Sequence, residues 1–436
     1  MAGPELRRMG VVGAGGAGFP TEVKAGSRAE FVLANGAECE PLVHKDVHVM
    51  EQFPAEVLGG MRLMMAATGA RQGFFGVKEK NRHALEALLP HLAGLPIELT
   101  RMGDFYPAGD EYELVYLATG RLIPPAGLPL HVGCVVNNVE TLFNVYHALQ
   151  GTPVTQKFVS VTGLVGQPSC FRVPLGTSFR EVLEWAGGVT RPDCAVFLNG
   201  LMMGRLLDDL DQPVTKTTAG LIVLPGDHHL VERRRKPAEA QHRIGKSACD
   251  QCSYCTELCP RYLLGYDVQP HKVMRSLAFT ATGKELWNQY SALCCACGLC
   301  TLYSCPEELY PKEACDRAKG DLRAAGITFR QEKPVQVHPM KEGRRVPSAL
   351  LRRKLGVEAF ESEAPFRARP RDPASVRLLL SQHVGRPAVP VVALGARVRV
   401  GDPVATVPGG ELGADLHASL AGVVTRVTER EVEIEA

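Results

Sequence analysis

At 436 residues the chain is too long for one ordinary core and is expected to divide into about two to four domains. Its 45% hydrophobic and 22% charged residues give the composition of a globular protein and exclude a disordered one. The 49 Lys and Arg are balanced by 47 Asp and Glu, so a nucleic-acid partner is not expected. No run approaches the ~20 apolar residues that cross a bilayer, and no membrane span is expected. The opening MAGPELRRMGVVGAGG has neither the apolar run nor the cleavage site of a secretory signal, which reads as cytoplasmic. Fourteen cysteines in a reducing compartment point to metal or redox work in preference to disulfides.

In chain order, residues 1–150 alternate short β-branched runs (Gly10 to Val12, Phe31 to Leu33, Cys134 to Val136) with helical patterns (Phe53 to Thr68, Asn81 to Leu89), the signature of an α/β sheet domain. Its first segment, MGVVGAGGAGFPTEVK, places Gly13, Gly15 and Gly18 in a GxGxxG pattern. Glycines there allow positive φ and let backbone N–H groups approach a phosphate at a helix start. A dinucleotide reading asks for an acidic residue about twenty positions on, and Glu38 and Glu40 are available. Residues 151–230 read as short strands with one helix, Ser178 to Ala186, stopped by Gly187 and Gly188. Glu232 to Lys246, with three consecutive arginines, reads as a solvated linker.

Residues 231–328 hold two cysteine runs with a helical segment between them; 329–375 are rich in charge and proline and read as a wrapping segment. Residues 376–436 form two alternating strand sets, a small barrel or sandwich. The first run, Cys249-x2-Cys252-x2-Cys255-x3-Cys259-Pro260, matches the bacterial two-cluster ferredoxin spacing in every interval. The second, Cys294-x2-Cys297-x2-Cys300-x4-Cys305-Pro306, has one extra residue before its last cysteine. In such ferredoxins the Cys-Pro cysteine serves the other cluster. One 4Fe-4S cluster is therefore expected on Cys249, Cys252, Cys255 and Cys305, and a second on Cys294, Cys297, Cys300 and Cys259. Paired zinc sites, the competing reading, ordinarily come as CxxC knuckles separated by a longer loop. Cys295 breaks the spacing and is left out; Cys39, Cys134, Cys170, Cys194 and Cys315 stand alone and read as small buried hydrophobes.

Four segments in one order, GAGGAGFPTEVK, NGAECEP, YPAGDE and VVNNVETL, together resemble the flavin domain of the complex I flavoprotein subunit and of the RnfC family. The resemblance implies a Rossmann-like domain that binds FMN and NADH. On it, Gly13, Gly15, Gly16 and Lys24 cradle the FMN phosphate and ribityl chain, and Asn35, Glu38, Asn137, Asn138 and Thr141 line the flavin. Phe19, Glu40 and Glu111 lie where the nicotinamide nucleotide approaches, with Gly18, Tyr106 and Gly109 in the same cofactor-binding set. No catalytic acid or base is assigned. The loop departs from the complex I pattern at Ala14, where those subunits carry arginine.

VPLGTSFREVLEWAGG and LNGLMMG resemble the ubiquitin-like, β-grasp SLBB module that follows the flavin domain in these proteins. The whole is then a multidomain α/β chain: Rossmann-like flavin domain, β-grasp SLBB module, all-α two-cluster ferredoxin-like domain and C-terminal barrel-sandwich hybrid. RnfC proteins carry the barrel first. Here it comes last, an order similar to the cobalamin reductases associated with propanediol-utilising microcompartments. That resemblance implies NADH-dependent electron transfer through FMN and two clusters to a corrinoid, from cob(III)alamin to cob(II)alamin and on to cob(I)alamin, reactivating a B12-dependent diol dehydratase. It further implies a microcompartment-associated location, with an adenosyltransferase or a shell protein as partners. No lysine follows Lys354, so the barrel is not a swinging-arm carrier, and no DxHxxG corrinoid motif occurs. Two other readings stay open: an RnfC-like subunit feeding a protein acceptor, and a non-catalytic electron wire or scaffold.

Overall fold

In the computed structural model, which describes residues 2–278 and 287–436, the apolar runs of the first 150 residues become a parallel sheet. Helices α1 (Ala2–Arg8) and α2 (Thr21–Ala25) flank the glycine loop. There follow β1 (Phe31–Gly36), α3 (Lys45–Gln52), α4 (Pro54–Thr68), β2 (Gln72–Lys78), α5 (Arg82–Leu92), β3 (Ile97–Met102), β4 (Phe105–Tyr106), α6 (Glu111–Thr119), β5 (Cys134–Asn138) and α7 (Val139–Ala148). The strand order is β3-β2-β1-β5 with every pairing parallel. Parallel sheets are covered on both faces, which is why Val32, Leu33 and Ala34 are buried in succession instead of alternately. Helix α4 starts on Pro54 and ends at Gly69 in the left-handed conformation, φ 74°.

The expected strand Gly10–Val12 does not form: Val12 makes a lone bridge to Pro20. The glycine loop thus lies between two short helices and does not follow a sheet strand. The dinucleotide reading of its GxGxxG pattern loses the context it requires.

The middle module contains β6 (Gln156–Gly163), β7 (Ser169–Pro174), α8 (Phe179–Trp185), β8 (Cys194–Leu198), β9 (Arg205–Leu206) and β10 (Gly220–Pro225). Ser178 caps α8 by accepting from Glu181 N at 3.2 Å, and Gly187 and Gly188 follow the helix at positive φ, as the stop signal predicts. From His229 onward come α9 (His229–Arg235), α10 (Ala238–Ala248), α11 (Tyr254–Glu257), α12 (Pro260–Leu263), α13 (Pro270–Ser276) and the helix Pro311–Ala324. Residues 279–286 of the helical segment expected between the cysteine runs lie outside the described residues.

The charged segment 329–375 stitches the modules together. Its β11 (Val346–Pro347) pairs with β4, and its β12 (Phe366–Arg367) adds to β7, giving a six-stranded sheet of order β12-β7-β6-β10-β8-β9. The last residues form two small sheets. One joins β13 (Ser375–Leu379), β15 (Arg397–Val398), β18 (Gly422–Val427) and β19 (Glu431–Glu435); the other joins β14 (Val389–Pro390), β16 (Pro403–Thr406) and β17 (Leu416–His417). One apolar core runs from Val57 and Val135 through Phe158 and Val161 to Val404 and Ile434, so these three modules share an interior.

Candidate functional site

The carboxyl ends of β1 and β5 open onto one crevice, the edge at which parallel α/β sheets bind ligands. Asn35 closes β1 and Asn137 and Asn138 close β5, facing each other in register. The glycine loop folds over them: Ala14 N donates to Thr141 Oγ1 at 2.9 Å, and Gly15 lies against the Asn138 side chain. Gly15 and Gly16 are exposed at the loop tip, while Gly13 and Gly18 close its neck through Gly18 N to Gly13 O at 3.2 Å. Phe19 is half-buried, and its carbonyl accepts from Gly13 N at 2.8 Å. Lys24, from α2, donates to Val136 O at 2.7 Å. Burial lowers the pKa of Lys24 and raises that of Glu111, and each charge partly offsets the other's shift.

Asn35 Nδ2 donates to Gly109 O at 2.9 Å, joining the NGAECEP and YPAGDE loops. A Cβ on Gly109 would lie 2.7 Å from Ala37 O and 3.3 Å from Cys39 Sγ, so only glycine allows this approach. Asn137 is 2% exposed, and neither its Oδ1 nor its Nδ2 has a partner. A buried amide with both ends unsatisfied, beside a lysine and a glycine-rich loop, fits a cofactor that offers hydrogen-bond donors, acceptors and a phosphate.

Beneath this crevice lies an ionic network that motif reading missed. Lys45 Nζ contacts Asp46 Oδ1 at 2.5 Å and Glu140 Oε2 at 3.0 Å, and Lys157 Nζ also bonds Glu140 Oε2. Lys45, Glu140 and Lys157 are at most 1% exposed. Burial opposes the charge on Glu140, yet Lys157 and Lys45 hold its carboxyl below the ordinary range. Asp46 accepts from Asn138 Nδ2 at 2.7 Å, and Glu38 accepts from Asp46 N at 2.8 Å. Burial and the neighbouring Asp46 charge raise the Glu38 carboxyl. Lys157 belongs to β6 of the middle module but also donates to Ala14 O at 3.2 Å, so that module holds the glycine loop from below.

Two predicted residues turn away from the crevice. Glu40 accepts from Met202 N at 3.0 Å and Met203 N at 2.8 Å in the LNGLMMG loop, and burial pushes its carboxyl up to about 7. Tyr106 is 2% exposed and donates from its hydroxyl to Cys297 O at 2.6 Å. Two of the three arginines read as a solvated linker grip the same region. Arg234 donates to Leu201 O and Met202 O at 3.0 and 2.9 Å, and Arg233 to Thr301 O and Leu309 O at 3.2 and 3.0 Å. Free carbonyls at loop ends and a multidentate guanidinium override the polarity of the sequence.

The cysteine runs fold alike. Gln251 and Ser253 in the first, and Ala296 and Gly298 in the second, take positive φ at equivalent positions. This turns donors toward sulfur: Ala296 N lies 3.3 Å from Cys294 Sγ, and Gln251 Nε2 3.2 Å from Cys249 Sγ. Around its third cysteine the first run forms the α-turn α11, whereas Cys300–Ser304 is a π-turn. The wider turn absorbs the extra residue of the x4 interval, so Cys259 and Cys305 leave with nearly equal backbone angles, φ −70° ψ 121° and φ −79° ψ 117°.

Cys249, Cys252, Cys255 and Cys305 line one cavity. Cys259 lies near Cys294, Cys297 and Cys300. The two groups of four sulfurs carry the spacing of 4Fe-4S ligands. Cys315, a lone cysteine in the spacing, packs against Cys294. Arg261, 8% exposed, pairs with Asp110 at 2.8 Å and packs over the Tyr112 ring next to Cys295. Nothing in a spacing pattern marks these neighbours.

The chain matches four family models: the Nuo51 FMN-binding domain over residues 6–147, the SLBB domain over 158–206, a 4Fe-4S dicluster domain over 248–310 and the RnfC barrel sandwich hybrid domain over 362–436. It is 43% identical to the cobalamin reductase PduS of Salmonella typhimurium, over 98% of this chain and 95% of that one. It is 40% identical to that of Citrobacter freundii over the same shares. A component of the proton-translocating ferredoxin:NAD(+) oxidoreductase complex from Clostridium ljungdahlii is 30% identical over 59% of this chain and 55% of its own. Among the described residues no helix is long and apolar enough to cross a membrane.

Proposed function

The chain belongs to the PduS cobalamin reductase family, and we propose that it oxidises NADH and delivers the electrons singly to a corrinoid. Oxidation of one NADH to NAD+ releases one proton and two electrons, enough to reduce two cob(III)alamin to cob(II)alamin. The crevice residues Lys24, Asn35, Asn137, Asn138 and Thr141, with the glycine loop Gly13 to Gly18, would hold FMN. Cys249, Cys252, Cys255 and Cys305 would hold one 4Fe-4S cluster, and Cys259, Cys294, Cys297 and Cys300 the other. FMN supplies the exchange between electron pairs and single electrons, and the clusters supply single-electron carriage. The observation that carries the reading is the Tyr106–Cys297 contact, which joins the crevice wall to the second cysteine loop.

The chain's own residues do the rest. Lys24 offers a cation for the phosphate, Asn137 an unpaired amide for a polar ring edge, and Glu111 and Phe19 border the face left for the nicotinamide. Glu40 and Tyr106 brace the crevice against the SLBB loop and the second cysteine run. Microcompartment association, with an adenosyltransferase or shell protein as partner, belongs to the same reading and is supported by the family relationship.

The test is anaerobic stopped-flow mixing of iron- and flavin-replete protein with NADH and hydroxocobalamin. Cobalt reduction at the expense of NADH is expected. Flavin bleaching without cobalt reduction would overturn the corrinoid acceptor.

A further inference from the structure

Resting on that reading, we propose that the corrinoid binds in the groove between α10, α13 and the helix Pro311–Ala324. The groove encloses about 290 Å³ and has Met274, Leu277 and Ala314 on its floor, with Gln241, His242 and Arg317 among the polar residues at its rim. Its floor is also the wall of the first cysteine centre. Met274 lines both the groove and the cavity of Cys249, Cys252, Cys255 and Cys305. Met274 and Leu277 pack in one apolar cluster with Cys249, Cys305 and Ala314. A molecule seated in the groove is therefore one side-chain layer from those sulfurs. Electron tunnelling decays exponentially with separation, so an acceptor gains most by binding here.

The lining suits this ligand class. A corrinoid presents an apolar macrocycle edge fringed by amide side chains, and the groove presents an apolar floor with amide, imidazole and guanidinium groups and the carboxylates of Glu313 and Asp316 around it. At this volume the groove accepts an edge of the macrocycle and leaves the remainder over α10. That helix buries only Gly245, whose missing side chain lets it lie close to Met274 and Leu277. The other roomy cavity, about 930 Å³ beside Arg28, Phe31 and Gln72, opens at the amino ends of β1 and β2, opposite the crevice, and has no cysteine in its lining.

Two measurements on the holoprotein test the assignment. Equilibrium titration with hydroxocobalamin, without NADH, is expected to show Kd raised about tenfold or more in both Gln241→Trp and Arg317→Glu, with iron and flavin content retained. Unchanged Kd in both variants would overturn the site. Hydrogen–deuterium exchange of the unaltered protein with hydroxocobalamin is expected to show protection within 238–247 and 310–317; protection confined to other segments would overturn it without any variant. Protection in these helices without NADH-driven cobalt reduction would instead refute the proposed function and leave the site standing.

Discussion

Replacing Lys157 by Met tests whether the middle module supports the cofactor crevice. Lys157 and Glu140 are 1% and 0% exposed, and Lys157 also donates to Ala14 O at 3.2 Å. Removing one partner of a buried ion pair costs about 3–5 kcal/mol, because the survivor is left uncompensated. Here Lys45 remains 3.0 Å from Glu140, which puts the expected loss at the low end, about 3 kcal/mol. With Asp46 and Glu140 facing only Lys45, the network carries an excess negative charge. Adding Glu140→Gln to Lys157→Met should restore much of the stability, a coupling of more than about 1 kcal/mol in a double-mutant cycle. Because the Ala14 tether goes too, FMN should dissociate faster from Lys157→Met, as read by flavin fluorescence after dilution. Stability within about 0.5 kcal/mol of the unaltered protein together with unchanged flavin release would refute the reasoning.

Burial raises the Glu40 carboxyl from 4.5 to about 7, so between those values the folded protein keeps a proton that the unfolded chain has released. Its stability should fall as pH rises through that window by up to about 3 kcal/mol relative to Glu40→Gln, measured by thermal denaturation at pH 5 and pH 8. Cys259→Ser should remove the cluster of the second run and Cys305→Ser that of the first, distinguished by electron paramagnetic resonance and iron content; the opposite pattern would sink the crossed assignment. Gly109→Ala pushes a methyl group to 2.7 Å from Ala37 O, and should cost about 1–3 kcal/mol and lower the flavin content on purification.

Much of this protein was legible because its chemistry is local. The CxxCxxC loops dictate their own turns, and three of the four crevice motifs occupy a strand end or the loop that follows it, while the glycine loop lies between two short helices. Helices with strong punctuation, such as Pro54 to Gly69 and Ser178 to Gly187, also fell close to their expected bounds. The strand expected at Gly10–Val12 failed because a short apolar run fits a loop packed under other modules as well as it fits a strand.

What only the tertiary structure decided is which polar groups face one another. Lys45, Glu140 and Lys157 lie up to 112 positions apart and look like ordinary surface charges until three elements bury them together. Arg233 and Arg234 read as solvated because sequence shows their charge but not the carbonyls of Thr301, Leu201 and Met202 that receive them. The extra residue before Cys305 was visible in the spacing, yet only the folded chain shows it taken up by a π-turn that returns the cysteine to its partner's geometry. Spacing specifies what a segment can do by itself; pairing across hundreds of residues depends on packing, and packing is set by the whole chain.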